Sequence, residues 1–285
     1  MTKKYKGILF ITCSAFCFAL MNVFVKLAGD LPSIQKSFFR NLVACLFALI
    51  LIIKDKEKLS YKKENIPLLL LRSTLGTIGI LCNFYAVDHL VLSDASMLNK
   101  LSPFFVVLFS YVFLKEKASL FELGCVGVAF LGSLFVIRPS FDFAQMMPAI
   151  IGLIGAIGAG SAYTCVRALS LRNEKGVKIV FFFSAFSCIV TLPYLLFNYH
   201  PMTFAQLICL LCAGLAAAGG QFSITAAYAN APAKDISAFD YSQVIFSAIF
   251  SYFIFGQMPS SYSFIGYIII ICTGVVLFLK QRQKA

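Results

Sequence analysis

The chain reads as an all-α integral membrane protein, ten transmembrane helices arranged as two inverted five-helix repeats. Three observations lead there. Apolar stretches near the ~20 residues needed to cross a bilayer fill most of the 285 positions. The connectors between them alternate between basic and charge-poor. Residues also recur at one fixed offset of 141 positions. Composition agrees: 60% of residues are hydrophobic and only 13% are charged, with a mean hydropathy of +0.88. A soluble domain carries about a quarter charged residues. The net charge of +12 fits basic connectors facing an anionic leaflet better than it fits nucleic acid.

Each span has its own punctuation. The first, at 7–28, follows Lys3, Lys4 and Lys6 and is too long for a signal-peptide core, so it reads as retained. Asp30-Leu31-Pro32 closes it and opens the second, at 33–53. The charged run Lys54-Asp55-Lys56-Glu57-Lys58, with Lys62 and Lys63, is a solvated connector to the third, at 66–86. The fourth, at 93–114, contains Pro103, which removes a helix hydrogen bond and predicts a kink beside Asn99-Lys100. Lys115 and Lys117 precede the fifth, at 119–137, and Arg138-Pro139 ends it. The sixth to tenth fall at 146–168, 177–197, 204–228, 235–255 and 261–279, with His200-Pro201, Ala231-Pro232 and Met258-Pro259 at joints.

Sorting lysines and arginines gives the orientation. With the N-terminus inside, seventeen fall on the cytoplasmic side, Lys36 and Arg138 fall outside, and five lie within spans. This positive-inside bias puts both termini in the cytoplasm and makes the span count even. The expected location is the inner, plasma membrane of a prokaryote, crossed many times.

The repeat is read from several pairs. Phe109-Ser110-Tyr111 recurs as Phe250-Ser251-Tyr252, Asp94 and Ser96 as Asp235 and Ser237, and Lys26 as Arg167. The division falls at 1–140 and 141–285. Five spans is an odd number, so the second half enters the bilayer upside down. Such halves place a binding site at the midplane between them.

Charges inside spans are costly, about 2.5–3.5 kcal/mol each on insertion scales, so each needs a reason. Lys26, Arg72 and Arg167 lie near span ends and read as anchors. Arg40, within Phe38-Phe39-Arg40, fits a structural or a functional role equally. The offset aligns Asn99-Lys100 with Asp240-Tyr241, two polar positions about two turns into matching helices. Two readings stay open. One is substrate recognition, with Asp240 as a protonatable or cation-binding carboxylate. The other is a buried structural ion pair between Lys100 and Asp240. Asn22, Asn83, Tyr85, Tyr163, Gln221, Tyr228 and Gln243 complete the polar residues in apolar runs. They suit a planar, hydrogen-bonding solute, and individually they also serve as interhelical glue.

Other features have plainer readings. Gly152, Gly155, Gly158 and Gly160 lie within an apolar span with no strand before them, which excludes a nucleotide fold. They, Gly76 with Gly79, Gly124 with Gly127, and Gly219-Gly220 read as close helix contacts. The ten cysteines all fall in apolar runs, and Cys209-Leu210-Leu211-Cys212 reads as packing rather than redox or metal chemistry. There is no phosphate-binding loop, metalloprotease motif or nucleophile elbow, and no cofactor is expected.

Several strings resemble one family. They are Phe16 to Lys26 with Pro32, Phe38-Phe39-Arg40, Gln221 to Tyr228, Ala231-Pro232-Ala233, Phe239-Asp240-Tyr241-Ser242-Gln243 and Phe250 to Gln257. Over essentially its whole length the chain resembles the drug/metabolite transporter superfamily, and within it the EamA-type proteins. It departs at Gly256-Gln257, where the family often has Gly-Glu; Lys115-Glu116 stands at the matching place in the first half. The resemblance implies a central cavity lined mainly by helices 1, 3, 4, 6, 8 and 9 and worked by alternating access. The strings look most like members that take up S-adenosylmethionine, riboflavin or related metabolites. The implied function is secondary transport of a small organic metabolite, as a monomer or homodimer, with protons as a candidate coupling ion. The alternatives are export of amino acids or toxic compounds and, further off, a membrane-embedded enzyme or scaffold.

Overall fold

The computed structural model describes residues 3–56, 58–114, 119–137, 143–230 and 239–283. Lys115-Glu116, Lys117, Arg138-Pro139, Ala231-Pro232-Ala233, Lys234, Asp235, Ser237 and Lys284 lie outside them. The described residues contain no strand. That is the expected answer to an apolar solvent, in which a helix satisfies every interior backbone group by itself.

Among the described residues, eleven α-helices have defined limits. The first five are α1 (Lys3–Leu27), α2 (Ser33–Lys54), α3 (Ile66–His89), α4 (Leu92–Asn99) and α5 (Ser102–Phe113). Then come α6 (Leu120–Ile137), α7 (Phe143–Leu171), α8 (Gly176–Phe197) and α9 (Phe204–Asn230). The last two are α10 (Ser242–Phe255) and α11 (Ser261–Gln283). Among the described residues, seven segments are long and apolar enough to cross a membrane, counting α4 and α5 as one. The apolar helices Ser242–Phe255 and Ser261–Val276 are shorter. Large hydrophobics such as Ile50, Ile53, Phe197, Phe253 and Ile268 face outward, the surface a bilayer would cover.

The fourth span is not one kinked helix. It breaks at Lys100-Leu101 into α4 and α5, with Pro103 in the first turn of α5. Proline has no N–H for the Asn99 carbonyl, and its fixed φ suits a helix start, so a new helix begins instead of a bend. A second break falls at Tyr241, between the helical pair Phe239-Asp240 and α10. No proline or glycine makes that one. The Ser242 hydroxyl donates to the Phe239 carbonyl at 2.7 Å, competing with the backbone for that acceptor.

Packing follows the sequence offset. α1 lies along α9 and α3 along α7, while α2 pairs with α8 and α6 with α11. Shifting by 141 turns the first pairing into the second and returns the other two to themselves. Element limits agree: α6 starts at Leu120 and α11 at Ser261.

Connectors gather at two ends. At one, Lys36 meets Asp88 at 2.6 Å, Lys26 donates to the Leu90 carbonyl at 2.7 Å, and Gln35 exchanges hydrogen bonds with the His200 backbone. At the other, Asn65 donates to Glu174 at 2.9 Å and Lys178 to the Ser60 carbonyl at 3.0 Å. These are the two groups into which the charge sorting divides the connectors. Gly29 (φ +66°) and Gly256 (φ +61°) take left-handed turns after α1 and α10, where a side chain would be strained.

Most of the glycine reading holds. A Cβ on Gly79 would stand 3.1 Å from the Ala159 nitrogen, and one on Gly158 would stand 3.0 Å from the Leu75 carbonyl. The α3 and α7 backbones therefore touch. Gly220 makes room for Phe18 and Gly160 for Phe105. Gly124 and Gly127 do not follow. A Cβ on either would meet nothing within 4 Å, because both face outward on α6.

Candidate functional site

A small cavity of about 60 Å³ lies among α1, α2, α3, α7, α8, α9 and the two broken helices. Asn22, Asn83, Asn99, Tyr163, Gln221 and Gln243 line it, together with Arg40, Arg72 and apolar surface from Phe18, Met21, Ile80 and Phe183. Six of the polar residues singled out from sequence are thereby brought together. α1 supplies Asn22 and α3 supplies Asn83, whose amide donates to Asn22 Oδ1 at 3.2 Å. Asn99 is the last residue of α4, and Gln243 lies at the start of α10 just past the Tyr241 break. Both broken helices thus present a polar end to the cavity.

The other five stand elsewhere. Lys100 and Asp240 form a salt bridge, Nζ to Oδ2 at 2.8 Å, at 2% and 3% exposure. The ion pair joins the two breaks. Its closeness answers the burial cost that either charge would carry alone. Asp240 Oδ1 has no hydrogen-bond partner. Close by, Ser96 donates to Ser247 at 2.7 Å, tying α4 to α10. Tyr241 is buried under Gly274, in the space a Cβ there would need. Tyr228 packs in the core 6.1 Å from the Tyr163 ring. Tyr85 stacks on His89 at 4.1 Å near the end of α3, away from the lining.

The anchor reading of Arg72 is corrected by the structure. Arg72 does not snorkel outward; it is 2% exposed, lies 3.6 Å from the centre of the Phe183 ring, and donates to Gln221 Oε1 at 3.2 Å. One turn on, a Cβ at Gly76 would come within 2.9 Å of Arg72 Nη1, so the glycine leaves the space the guanidinium occupies. That glycine, four residues after an arginine, was the sequence signal. Arg40 is 1% exposed, bonded to Asn41, with its guanidinium 5.9 Å from the same Phe183 ring. Lys26 behaves more like an anchor: half-buried, it caps the Leu90 carbonyl and stands 5.6 Å over Phe255.

Several polar atoms facing this region lack protein partners: Asn22 Nδ2, Arg40 Nε, Arg72 Nε and Nη1, and Gln243 Oε1. Buried polar groups are ordinarily bonded. A cavity ringed with free donors and an acceptor is one that water or a solute completes.

The described residues form an all-helical membrane protein with a small cavity, lined by polar and apolar side chains, between two broken helices. The EamA-like transporter family model matches residues 5–138 and again 146–279, and the chain belongs to that family, within the drug/metabolite transporter superfamily. The pseudopaline exporter CntI of Pseudomonas aeruginosa is 30% identical over 278 residues, covering 97% of each chain. The riboflavin transporter of Brucella anthropi is 27% identical, over 95% of this chain and 96% of its own. Human solute carrier family 35 member G1 is 26% identical, over 98% of this chain and 80% of its own. One solved crystal structure shares the fold, with a TM-score of 0.73 at 13% identity, covering 97% of this chain and 98% of that one.

Proposed function

We propose that this protein is a secondary transporter, not an enzyme, carrying a small organic metabolite across a prokaryotic inner membrane by alternating access. The observation that carries the reading is the cavity bounded by both broken helices, with polar lining drawn from both halves of the chain. Irregular backbone is tolerated within a membrane where it lines such a chamber. Ten crossings, both termini in the cytoplasm and a second half inverted on the first complete the proposal. The sequence offset, the paired packing and the two sets of connectors support it.

In this reading Asn22, Asn83, Asn99, Tyr163, Gln221 and Gln243 contact the solute. The Lys100–Asp240 pair holds the two breaks in register, and its rupture and re-formation accompany the change of access. Asp240, with one oxygen unbonded, is the residue best placed to take up a coupling proton. Export is the favoured direction within this reading, because a relative of nearly full overlap and 30% identity is an exporter. The test is flux in proteoliposomes after a thermal-shift screen against metabolites. Lys100→Ala and Asp240→Asn should each lower flux at least tenfold while folded protein remains in the membrane. Unchanged flux in both variants removes the pair from the mechanism.

A further inference from the structure

The two cavity arginines raise a problem of charge. Arg40 and Arg72 are both essentially sealed from bulk solvent, and both guanidiniums lie against one ring, Phe183, at 5.9 Å and 3.6 Å. Among the described residues, their hydrogen-bond partners are neutral amides, Asn41 and Gln221. Three of their N–H-bearing nitrogens, Arg40 Nε and Arg72 Nε and Nη1, have no partner. Two like charges this close repel, and a buried cation without an anion is among the costliest arrangements a protein can hold. A π face offsets part of that cost but satisfies no N–H.

Carboxylates on the surrounding helices are engaged elsewhere. Asp240 is taken by Lys100, Asp88 by Lys36, and Asp94 by the Tyr267 hydroxyl. No described Asp or Glu lines the cavity. A guanidinium presents parallel donors that match a carboxylate in two-point contact. Gly76 keeps one of them aimed in place.

We propose that the solute is a small organic acid and that Arg40 and Arg72 together hold its carboxylate, while the lining amides read the rest of the molecule. This rests on the transporter reading and narrows its substrate class. The arginines are then stored charge, completed only when the anion arrives.

The experiment is a thermal-shift screen of the purified full chain. The library is sorted into four classes: carboxylates including amino acids, phosphate esters with inorganic phosphate, neutral sugars and nucleosides, and polyamines. Stabilising hits are expected among the carboxylates. Arg72→Gln and Arg40→Gln should each weaken those hits at least about tenfold, the loss of one charge-assisted contact, and Arg72→Lys should recover part of the loss. Arg72→Met removes an unpaired buried charge, so its ligand-free melting temperature should equal or exceed that of the wild type. A lower value in both the Met and Gln variants assigns the arginine a structural role and overturns the proposal. Hits confined to phosphates, to neutral molecules or to cations overturn it too, as does a library with no hit.

Flux in proteoliposomes separates this inference from the reading beneath it. Carboxylates that bind through the arginines yet never cross, under any imposed gradient, sink the transport reading and leave the anion site. A neutral solute that crosses equally well in both Gln variants leaves transport standing and removes the anion site.

Discussion

Lys100 and Asp240 are the residues whose meaning depends most on each other. Each stands at a helix break, and each alone would be a bare buried charge. Asp240→Asn should therefore cost stability, about 3–5 kcal/mol for a broken buried pair, as should Lys100→Met. The double change Lys100→Met with Asp240→Leu should recover most of that loss in detergent unfolding without recovering flux. A double variant as unstable as the worse single one would mean the pair supplies packing rather than charge balance. Gly76 sets a second residue-scale expectation. Gly76→Ala places a methyl 2.9 Å from Arg72 Nη1 and 3.0 Å from Phe183. It should cost about 1–3 kcal/mol by overpacking and lower solute affinity, both corrected by Phe183→Leu, which opens the space again.

The elements pack in a manner that glycine reveals. α3 and α7 approach until backbone meets backbone at Gly79, Gly155 and Gly158. A helix pair without water to drive it together gains from such close van der Waals contact. Gly79→Val or Gly158→Val should then lower the unfolding midpoint in detergent, by the equivalent of about 1–3 kcal/mol. Gly124→Ala and Gly127→Ala, with open space before them, should leave the midpoint unchanged or raise it, since alanine is the better helix former. Equal losses at all four positions would mean that helix contacts are not what these glycines serve. The broken helices follow the same principle from the other side. Where α4 stops and α5 begins, Lys100 and Leu101 are buried within the protein, a setting in which freed backbone is tolerated at membrane depth.

At the scale of the whole molecule, the prediction concerns orientation. Reporter fusions should place the 58–62 connector with the cytoplasm and the 198–203 connector outside it. The two lie at opposite ends of the bundle, one fastened by Lys178 and Glu174 and the other by Gln35. Finding both on one side would break the positive-inside argument and the inverted arrangement with it. Removing the basic residues Lys54, Lys56, Lys58, Lys62 and Lys63 together should weaken that orientation, since lysines and arginines near span ends set it.

Periodicity, hydropathy and charge bias act over short distances, and each leaves its mark in the order of residues. From them come the helical class, the limits of most spans and the polar positions Asn22, Asn83, Asn99, Tyr163, Gln221 and Gln243 that meet at the cavity; the repeated residues supply the offset that pairs the two halves, and the family comes from the strings that resemble it. Three things wait on the fold. That Lys100 reaches Asp240 is a matter of two distant breaks coming face to face. That Tyr85, Tyr228 and Tyr241 turn away from the cavity depends on which side of each helix its neighbours cover. That Arg72 points inward instead of to the interface depends on a space left by Gly76 and a ring supplied by Phe183 from another helix. An isolated arginine near a helix end has the reach to go either way, and only the surroundings in three dimensions decide which end of that long side chain is stable.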